Sequence, residues 1–249
     1  MKARSLAPFL PPLLLVGLWQ VAAGSGLVPP QVLAPPAQVL ATAAELWTSG
    51  ELPRHLFASL SRLTGGYLIG AAAGLAFGTA IALSSLARGL FAPLFLAMRQ
   101  VPVLSFLPLL VLLLGIEERF KVAIVAITAF FPIALAAFDG IRDVPRAWFE
   151  VARVFRTPLV PFVLTILAPA ALPPVVTGLR IGLTRAWLVL IAAELLAADS
   201  GVGQMMEMGR QLFQLDVVLA GIVVSGLIGF SLDFAMRRAE ARLTRWRTA

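Results

Sequence analysis

The amino-acid sequence predicts an all-α, polytopic membrane protein with six transmembrane helices, and three observations support this fold class. The chain has 249 residues, of which 59% are hydrophobic and 13% are charged, whereas a soluble domain usually carries about 25% charged residues. Its mean hydropathy is +0.92. The apolar residues are gathered into runs that are long enough to cross a bilayer as helices.

Composition excludes several classes of function. The chain has no Cys, so a disulfide, thiol catalysis and a Cys-based metal site are impossible. His55 is the only His, which excludes a His cluster for metal. The net charge is +7. Nucleic acid is one explanation of this excess, but anionic lipid headgroups explain it better because the basic residues flank the apolar runs. We therefore predict no catalytic residue, no metal site and no nucleic-acid partner.

The first apolar run, residues 6–23, follows Lys2 and Arg4. A signal peptide has this outline, but the run is about span length and no cleavage site is convincing, so we predict a retained first helix. Residues 24–59 connect it to the second span, and residues 37–47 within them form a short helix with one apolar face. This helix is predicted to lie at the outer membrane interface; a contact surface for an extracytoplasmic partner is the alternative.

The second and third spans carry distinctive residues. The second span, residues 61–86, has glycines at every fourth position, which predicts close packing of another helix and leaves open that this face also lines a path. The third span, residues 90–115, contains three prolines and has Arg99 and Gln100 near its middle. An ionisable residue within a span is a candidate functional site by default. The glycines are Gly66, Gly70, Gly74 and Gly78.

The fourth span is predicted at residues 122–138, after a charged loop at residues 116–121. The fifth, residues 172–197, carries Arg180, Arg185 and Glu194; a loop at residues 198–215 leads to the sixth, residues 216–236. The chain then divides into three parts. Residues 1–58 hold the first helix and the connecting segment, residues 59–238 the core transmembrane domain, and residues 239–249 a basic tail.

The distribution of Lys and Arg predicts the orientation. With the N-terminus in the cytoplasm, twelve of the 20 basic residues face the cytoplasm, five face outside and three lie within spans. The positive-inside rule favours this arrangement. Both termini and the segment between spans four and five are then cytoplasmic.

That segment, residues 141–160, carries several charges that are costly in hydrocarbon, where a central Arg or Asp costs about 2.5–3.5 kcal/mol. Its apolar residues recur at steps of three and four, which predicts a short amphipathic helix with one apolar stripe. The helix either rests on lipid headgroups or docks on a cytoplasmic partner. The stripe consists of Val144, Ala147, Trp148, Val151, Val154 and Phe155.

The sequence Glu150-Val151-Ala152, followed by Arg156 and by residues 166–169 (Ile-Leu-Ala-Pro), resembles the cytoplasmic loop of ABC importer permeases. That family carries Glu-Ala-Ala, a Gly at the position of Arg156, and an Ile-x-Leu-Pro ending. Val151, Arg156 and Ala168 depart from the pattern. Arg156 leaves the usual helix break in question, with Pro158 as an alternative source of it.

Other segments in the same order resemble the nitrate/sulfonate/taurine branch of this family, and the resemblance runs from about Leu56 to Arg238. These segments are residues 99–102 with Pro108, residues 169–173, 177–180, 185–187, 193–194 and 201–203.

The resemblance implies a function and partners. Two copies of the permease form a pore, and each inserts the helix centred on Glu150 into one of two ABC ATPase subunits, which bind ATP and Mg. An extracytoplasmic binding protein delivers the substrate to this pore from outside, and the permease itself lies in the bacterial inner membrane. The chain has no phosphate-binding loop, so it is not the ATPase and we expect it to bind no cofactor. The implied ATPase-coupling residues are Arg146, Phe149, Glu150, Ala152, Arg153 and Arg156.

The implied substrate is a small oxyanion such as a sulfonate, taurine or nitrate, although the branch is also associated with pyrimidine precursors and aromatic acids. Guanidinium groups suit such anions, but embedded arginines also pair internally, for example with Glu194, or snorkel to an interface. The candidates for the translocation path are Arg99, Gln100, Arg180, Arg185 and Glu194. Two other classes stay open: an ion-gradient-driven secondary transporter, although no internal repeat is clear, and a membrane scaffold, which leaves the embedded arginines without a purpose.

Overall fold

A computed structural model describes residues 10–25 and 33–245, and all regular secondary structure in these ranges is helical. The prediction of an all-α fold is confirmed. A 3-10 turn at Val103–Phe106 precedes α5, and a π-helical turn at Val163–Leu167 joins α8 to α9. The α-helices are α1 (Leu10–Gly24), α2 (Pro36–Thr48), α3 (Glu51–Leu83), α4 (Ser85–Met98), α5 (Leu107–Leu114), α6 (Glu118–Arg142), α7 (Arg146–Val154), α8 (Leu159–Phe162), α9 (Ala168–Ala197), α10 (Val202–Gln211) and α11 (Leu215–Leu243).

The chain is a multi-pass membrane protein by the length and composition of its helices. Four helices are long and apolar enough to cross a membrane, namely Glu51–Leu83, Glu118–Arg142, Val160–Ala197 and Leu215–Leu243. The helices Ser85–Met98 and Val103–Leu114 pass the same test together and are bent by 93°, so they can form a fifth, broken span. The sixth span stays a prediction. Leu13–Gly24 is a shorter apolar helix, and Lys2, Arg4 and Arg247 lie outside the described residues.

Helices α3 and α6 begin before the predicted spans, at positions that the sequence analysis assigned to connecting segments. α3 begins at Glu51, directly after Gly50, whose φ of +81° lies in the region that favours glycine. α6 begins at Glu118, so most of the predicted charged loop is the first turn of a helix. Lys121 is therefore fully buried within α6, whereas the sequence placed it in an outer loop.

The predicted third span is broken. α4 ends at Met98, and the chain bends before the 3-10 turn that follows Pro102. Pro102 contributes to the break, because a proline disfavours the α conformation of the residue before it. Arg99 and Gln100 lie at this break and are exposed, rather than in the middle of a continuous helix.

The prediction of a loop over residues 198–215 is wrong, because α10 occupies much of it. Gly201 has a φ of +114°, and the helix starts at the next residue. The side chains of Val202, Met205 and Met206 are buried at helical spacing, while charged residues cover the outer face and give the sequence its loop-like composition. α11 likewise continues to Leu243, beyond the predicted end at Met236.

The described chain forms two compact units. The first consists of Met1–Ser59 and Glu194–Leu227, and the second of Leu60–Ala193 and Ile228–Ala249. In the first unit a small apolar core is closed by Trp19, whose indole N–H donates a 3.1 Å hydrogen bond to the carbonyl of Ala34. The Thr42 hydroxyl donates to the Asp216 carboxylate at 2.7 Å, which ties α2 to α11.

In the second unit α3 packs on α6 through its glycine face. A Cβ built on Gly66 would lie 2.6 Å from the Val125 side chain and 2.7 Å from the Val122 carbonyl oxygen. A Cβ on Gly74 would lie 2.8 Å from the Phe130 carbonyl oxygen. Gly70 and Gly78 face the carbonyl oxygens of Ala126 and Ala134 in the same way. These glycines therefore set the distance between α3 and α6.

Candidate functional site

The short helix α7 begins after Pro145, whose ring is pre-organised for a helix start and whose missing N–H loses no bond there. Ala152 is the residue of α7 that is buried, at 8% exposure. Phe149 packs on Phe162 with ring centroids 5.1 Å apart. The helix therefore docks on its own unit through Phe149 and Ala152, although the resemblance placed both residues among those that couple to an ATPase subunit.

Apart from Val144, which is buried in the same cluster as Ala152 and Phe162, the apolar stripe predicted from the sequence lies beside this contact and is exposed. Of its members only Val144 is buried. Neighbouring positions on a helix point about 100° apart, so the stripe beside Phe149 and Ala152 covers a second, open face. Its large exposed side chains are those of Trp148, Val151, Val154 and Phe155.

The charged residues of α7 are also available for contact. Arg146, Glu150 and Arg153 are all exposed, and none of them makes an ion pair within the part of the chain that the structure describes. The helix thus presents apolar side chains and unpaired charges together. This combination is suited to a protein partner whose contact surface has an apolar centre and charged or polar groups around it.

The C-terminus of α7 is closed at Arg156. This residue has a φ of +45°, in the left-handed region that favours glycine. The Thr157 N–H donates to the Ala152 carbonyl at 2.9 Å and the Arg156 N–H donates to the Arg153 carbonyl at 3.1 Å, which is the hydrogen-bond pattern of a Schellman motif. The helix break is therefore made at Arg156 itself and does not depend on Pro158.

An open groove of about 780 Å³ lies between α6 and α9 and reaches the start of α7. A Cβ on Gly140 would lie 2.7 Å from Pro174, and one on Gly182 would lie 3.0 Å from Ile133. Because low-numbered residues of α6 face high-numbered residues of α9, the two helices are antiparallel. The charged residues that line the groove are Asp139, Asp143 and Arg185.

The three embedded arginines differ in their partners. Arg180 pairs with two carboxylates of α11, with its Nε 3.1 Å from Glu240 Oε2 and its Nη1 3.6 Å from Asp233 Oδ1. Arg99, at the helix break, interacts electrostatically with Asp139. Arg185 is exposed to the groove, and no hydrogen bond or ion pair joins it to any of the described residues.

Glu194 is completely buried in the first unit. The Ser59 hydroxyl lies 2.9 and 2.8 Å from its two carboxylate oxygens, and the Gly203 N–H donates to it at 3.1 Å. The Val202 N–H donates to Ser59 Oγ at 2.9 Å, and the Gly201 N–H donates to His55 Nδ1 at 3.0 Å. These groups satisfy the free N–H groups at the start of α10, where a negative charge is favourable.

A second ionic cluster, with two buried cations around an exposed carboxylate, was not predicted from the sequence. Arg62, 3% exposed, donates to both carboxylate oxygens of Glu118 at 2.6 Å. Lys121, fully buried, lies 3.2 Å from the same carboxylate. A two-pronged Arg–carboxylate pair is among the strongest polar contacts, and this pair joins α3 to α6. The spacing of Glu118 and Lys121 within one helix was readable in the sequence, but their partner on another helix was not.

The apolar spanning helices, the groove with its embedded arginine and the open face of α7 together define a membrane subunit of a transport system. Residues 66–245 match the family model described as the binding-protein-dependent transport system inner membrane component. The chain belongs to this family of ABC transporter permeases.

Named relatives agree with this assignment. The chain is 38% identical over 238 residues to SsuC of Bacillus subtilis, described as an aliphatic sulfonates transport permease protein, covering 96% of this chain and 86% of that protein. It is 35% identical over 237 residues to the taurine transport system permease protein TauC of Escherichia coli, covering 93% of this chain and 86% of that protein. The predicted resemblance to ABC importer permeases of the sulfonate/taurine type is confirmed.

A solved structure shows the same fold. The MetNI methionine ABC transporter in an inward-facing conformation contains a chain that matches with a TM-score of 0.64 at 18% identity, covering 78% of this chain and 96% of that chain.

Proposed function

We propose that this chain is the transmembrane subunit of an ATP-driven importer, and that two copies form the path for a small oxyanion delivered by an extracytoplasmic binding protein. The observation that carries this proposal is the position of α7. Trp148 of α7 and the preceding Pro145 line the same groove as Asp139 and Arg185. A displacement of α7 therefore acts directly on the wall of the candidate path.

The partner of α7 is a cytoplasmic ATPase subunit, which binds ATP and Mg in place of this chain. Burial of the exposed stripe at Trp148, Val151 and Phe155 supplies apolar area to the interface at about 25 cal/mol per Å². Glu150 is exposed on the same helix and can pair with a cation of the partner, in a charge-assisted bond that fixes the orientation of the helix. Arg146 and Arg153 lie on either side of Glu150 along the helix and can pair with carboxylates of the partner. Two ATPase copies serve the two permease copies.

We further propose that the protein spans the bacterial inner membrane six times, with both termini and α7 in the cytoplasm. The excess of Lys and Arg at one face supports this orientation. In this arrangement residues 1–58 provide the first span and the extracytoplasmic connection, residues 59–238 form the permease core, and residues 239–249 form the basic tail.

The names of the relatives support a sulfonate or taurine as the substrate. Among the path candidates, Arg99, Gln100 and Arg185 are exposed, Arg180 is held by two carboxylates and Glu194 is buried. A different nutrient, such as a pyrimidine precursor or an aromatic acid, is the alternative, and its selection would then lie with the binding protein.

The proposal is tested by copurification of the tagged permease with the ATPase subunits of its host. Wild type is compared with Glu150→Arg, which reverses an exposed charge on α7, and with Glu45→Arg, which reverses an exposed charge on α2. We expect wild type and Glu45→Arg to recover the ATPase, and Glu150→Arg to recover at least about tenfold less, as for a close charge pair worth about 1.4 kcal/mol or more. Equal recovery by all three proteins contradicts the role of α7, and no ATPase with any of them contradicts the proposed function.

A further inference from the structure

We infer that Arg185 is the residue that binds the anionic group of the substrate within the groove, and that an anion leaving it toward α7 passes the carboxylates of Asp139 and Asp143. This inference rests on the proposed function and narrows the five path candidates to one. It assigns the groove a ligand of defined chemistry, a small organic anion with a sulfonate-like head.

The depth of Arg185 is the first argument. Gly182 packs on the middle of α6, since its Cβ would lie 3.0 Å from Ile133 and 3.3 Å from the carbonyl oxygen of Ala129, and α6 runs from Glu118 to Arg142. Arg185 is one turn further along α9 and is therefore near the middle of a spanning helix. A charged side chain at this depth faces a bundle interior or a water-filled cavity, because lipid cannot solvate it.

The missing partner of Arg185 is the second argument. Arg180, one and a half turns earlier on α9, is neutralised by Asp233 and Glu240. Arg185 points into the groove with no acidic partner among the residues that the structure describes. A guanidinium offers five N–H donors in a planar fork, which matches the oxygens of a sulfonate. An anion held there satisfies both the charge and the donors of Arg185.

The distribution of charge along the groove is the third argument. Asp139 and Asp143 line it near Pro145, at the level where Gly140 meets Pro174. Pro174 and Arg185 are separated by about 16 Å along α9 at 1.5 Å per residue, which exceeds the Debye length of about 8 Å at physiological salt. Arg99 and Arg142 act on Asp139 from outside the lining, and they offset part of its charge. No second cation lines the described groove, so the anion is held at the deep end.

The absence of Cys from the chain allows a direct test of this charge pattern. Ile181→Cys places a single thiol in the groove wall one turn from Arg185, and Ala170→Cys places one at the α7 end. The permease with its ATPase subunits, in lipid nanodiscs, is treated with 2-sulfonatoethyl or 2-trimethylammonioethyl methanethiosulfonate, and the modification rates are read by mass spectrometry. The first reagent is itself an alkanesulfonate.

Each modification rate is divided by that reagent's rate with a free thiol, and the rate ratio is the anionic value over the cationic value. With Arg185 present, this ratio is expected to exceed one in the Ile181→Cys protein. Adding Arg185→Gln should lower that rate ratio on the order of tenfold, because one charge at close range changes the two rates in opposite directions. Arg185→Lys should retain most of the ratio. Arg54→Gln, which removes an exposed charge elsewhere, should leave the ratio in the Ile181→Cys protein unchanged. In the Ala170→Cys protein, Arg185→Gln should change the ratio by no more than about twofold, since screening limits the range over which the charge of Arg185 acts.

The inference is overturned if the Ile181→Cys thiol reacts with neither reagent, if Arg185→Gln leaves its ratio unchanged, or if Ala170→Cys shows the higher ratio. A second assay separates a failure of this inference from a failure of the proposed function. It measures the uptake of labelled ethanesulfonate by proteoliposomes that contain the permease and its ATPase, with the binding protein added. No uptake by wild type contradicts the proposed substrate, while the modification rates of the thiols still test whether Arg185 attracts an anion in the groove. Wild-type uptake with at least about tenfold less uptake in Arg185→Gln, and unchanged uptake in Arg54→Gln, supports the inference; equal uptake in wild type and Arg185→Gln overturns it.

Discussion

The glycine face of α3 offers a sharp test of the fold, because two adjacent glycines have opposite surroundings. A Cβ on Gly66 would lie 2.6 Å from Val125 and 2.7 Å from the Val122 carbonyl oxygen, whereas a Cβ on Gly65 would meet nothing within 4 Å. Both lie inside the same helix, so alanine at either position gains about 1 kcal/mol of helix propensity. Only Gly66→Ala adds an overpacking cost of about 1–3 kcal/mol, since the backbone of α6 yields less easily than a flexible side chain.

We therefore expect Gly65→Ala to raise the free energy of unfolding by about 1 kcal/mol and Gly66→Ala to leave it unchanged or lower it by up to about 2 kcal/mol. The assay measures the thermal midpoint of the detergent-solubilised permease, from the height of the size-exclusion peak that remains after heating to each temperature. The two variants should differ by several degrees, at about 2–4 °C per kcal/mol for a chain of this size. Val125→Ala should partly rescue Gly66→Ala as a coupled pair. Equal midpoints for Gly65→Ala and Gly66→Ala would refute the packing described here.

The remaining predictions concern two buried or strained positions. Arg156→Gly removes an L-residue from a φ of +45° and should raise the free energy of unfolding by about 1 kcal/mol, seen as a higher thermal midpoint; a lower midpoint would contradict the left-handed assignment. Ser59→Ala removes the hydroxyl donor from the buried Glu194 carboxylate and should lower stability by about 1–3 kcal/mol. Thr64→Ala, which removes an exposed hydroxyl bonded to the same helix, is its control, and equal midpoints for the two would argue against the buried cluster.

Properties that depend on nearby residues were predictable from the sequence. Long apolar runs predicted α3, α6, α9 and α11, because hydropathy is summed over one continuous segment. α10 was missed because it is short and carries a polar outer face, so its few buried positions did not stand out from a loop. Its start depends on hydrogen bonds to Ser59 and Glu194. Ser59 is far from α10 in the sequence, and Glu194 lies near the end of another helix, α9.

The candidate site was predictable only in part for the same reason. The rule that embedded charges are functional named Arg180 and Arg185 equally, and the sequence could not separate them. What distinguishes them is a pair of carboxylates on α11, Asp233 and Glu240, brought to Arg180 by folding. Arg156 is a further case, because nothing in a single sequence indicates that an arginine adopts the conformation of a glycine.

The π-helical turn at Val163–Leu167 makes this chain tolerant of a change in length at one place. A π turn holds an extra residue relative to an α turn, so deletion of one residue there leaves a regular α-helix whose flanking parts keep their faces. Deletion of one residue between the π turn and Arg185 rotates Arg185 by about 100° relative to α7 and turns it out of the groove. Permeases one residue shorter between α7 and Pro169 can therefore keep both the docked helix and the groove in register.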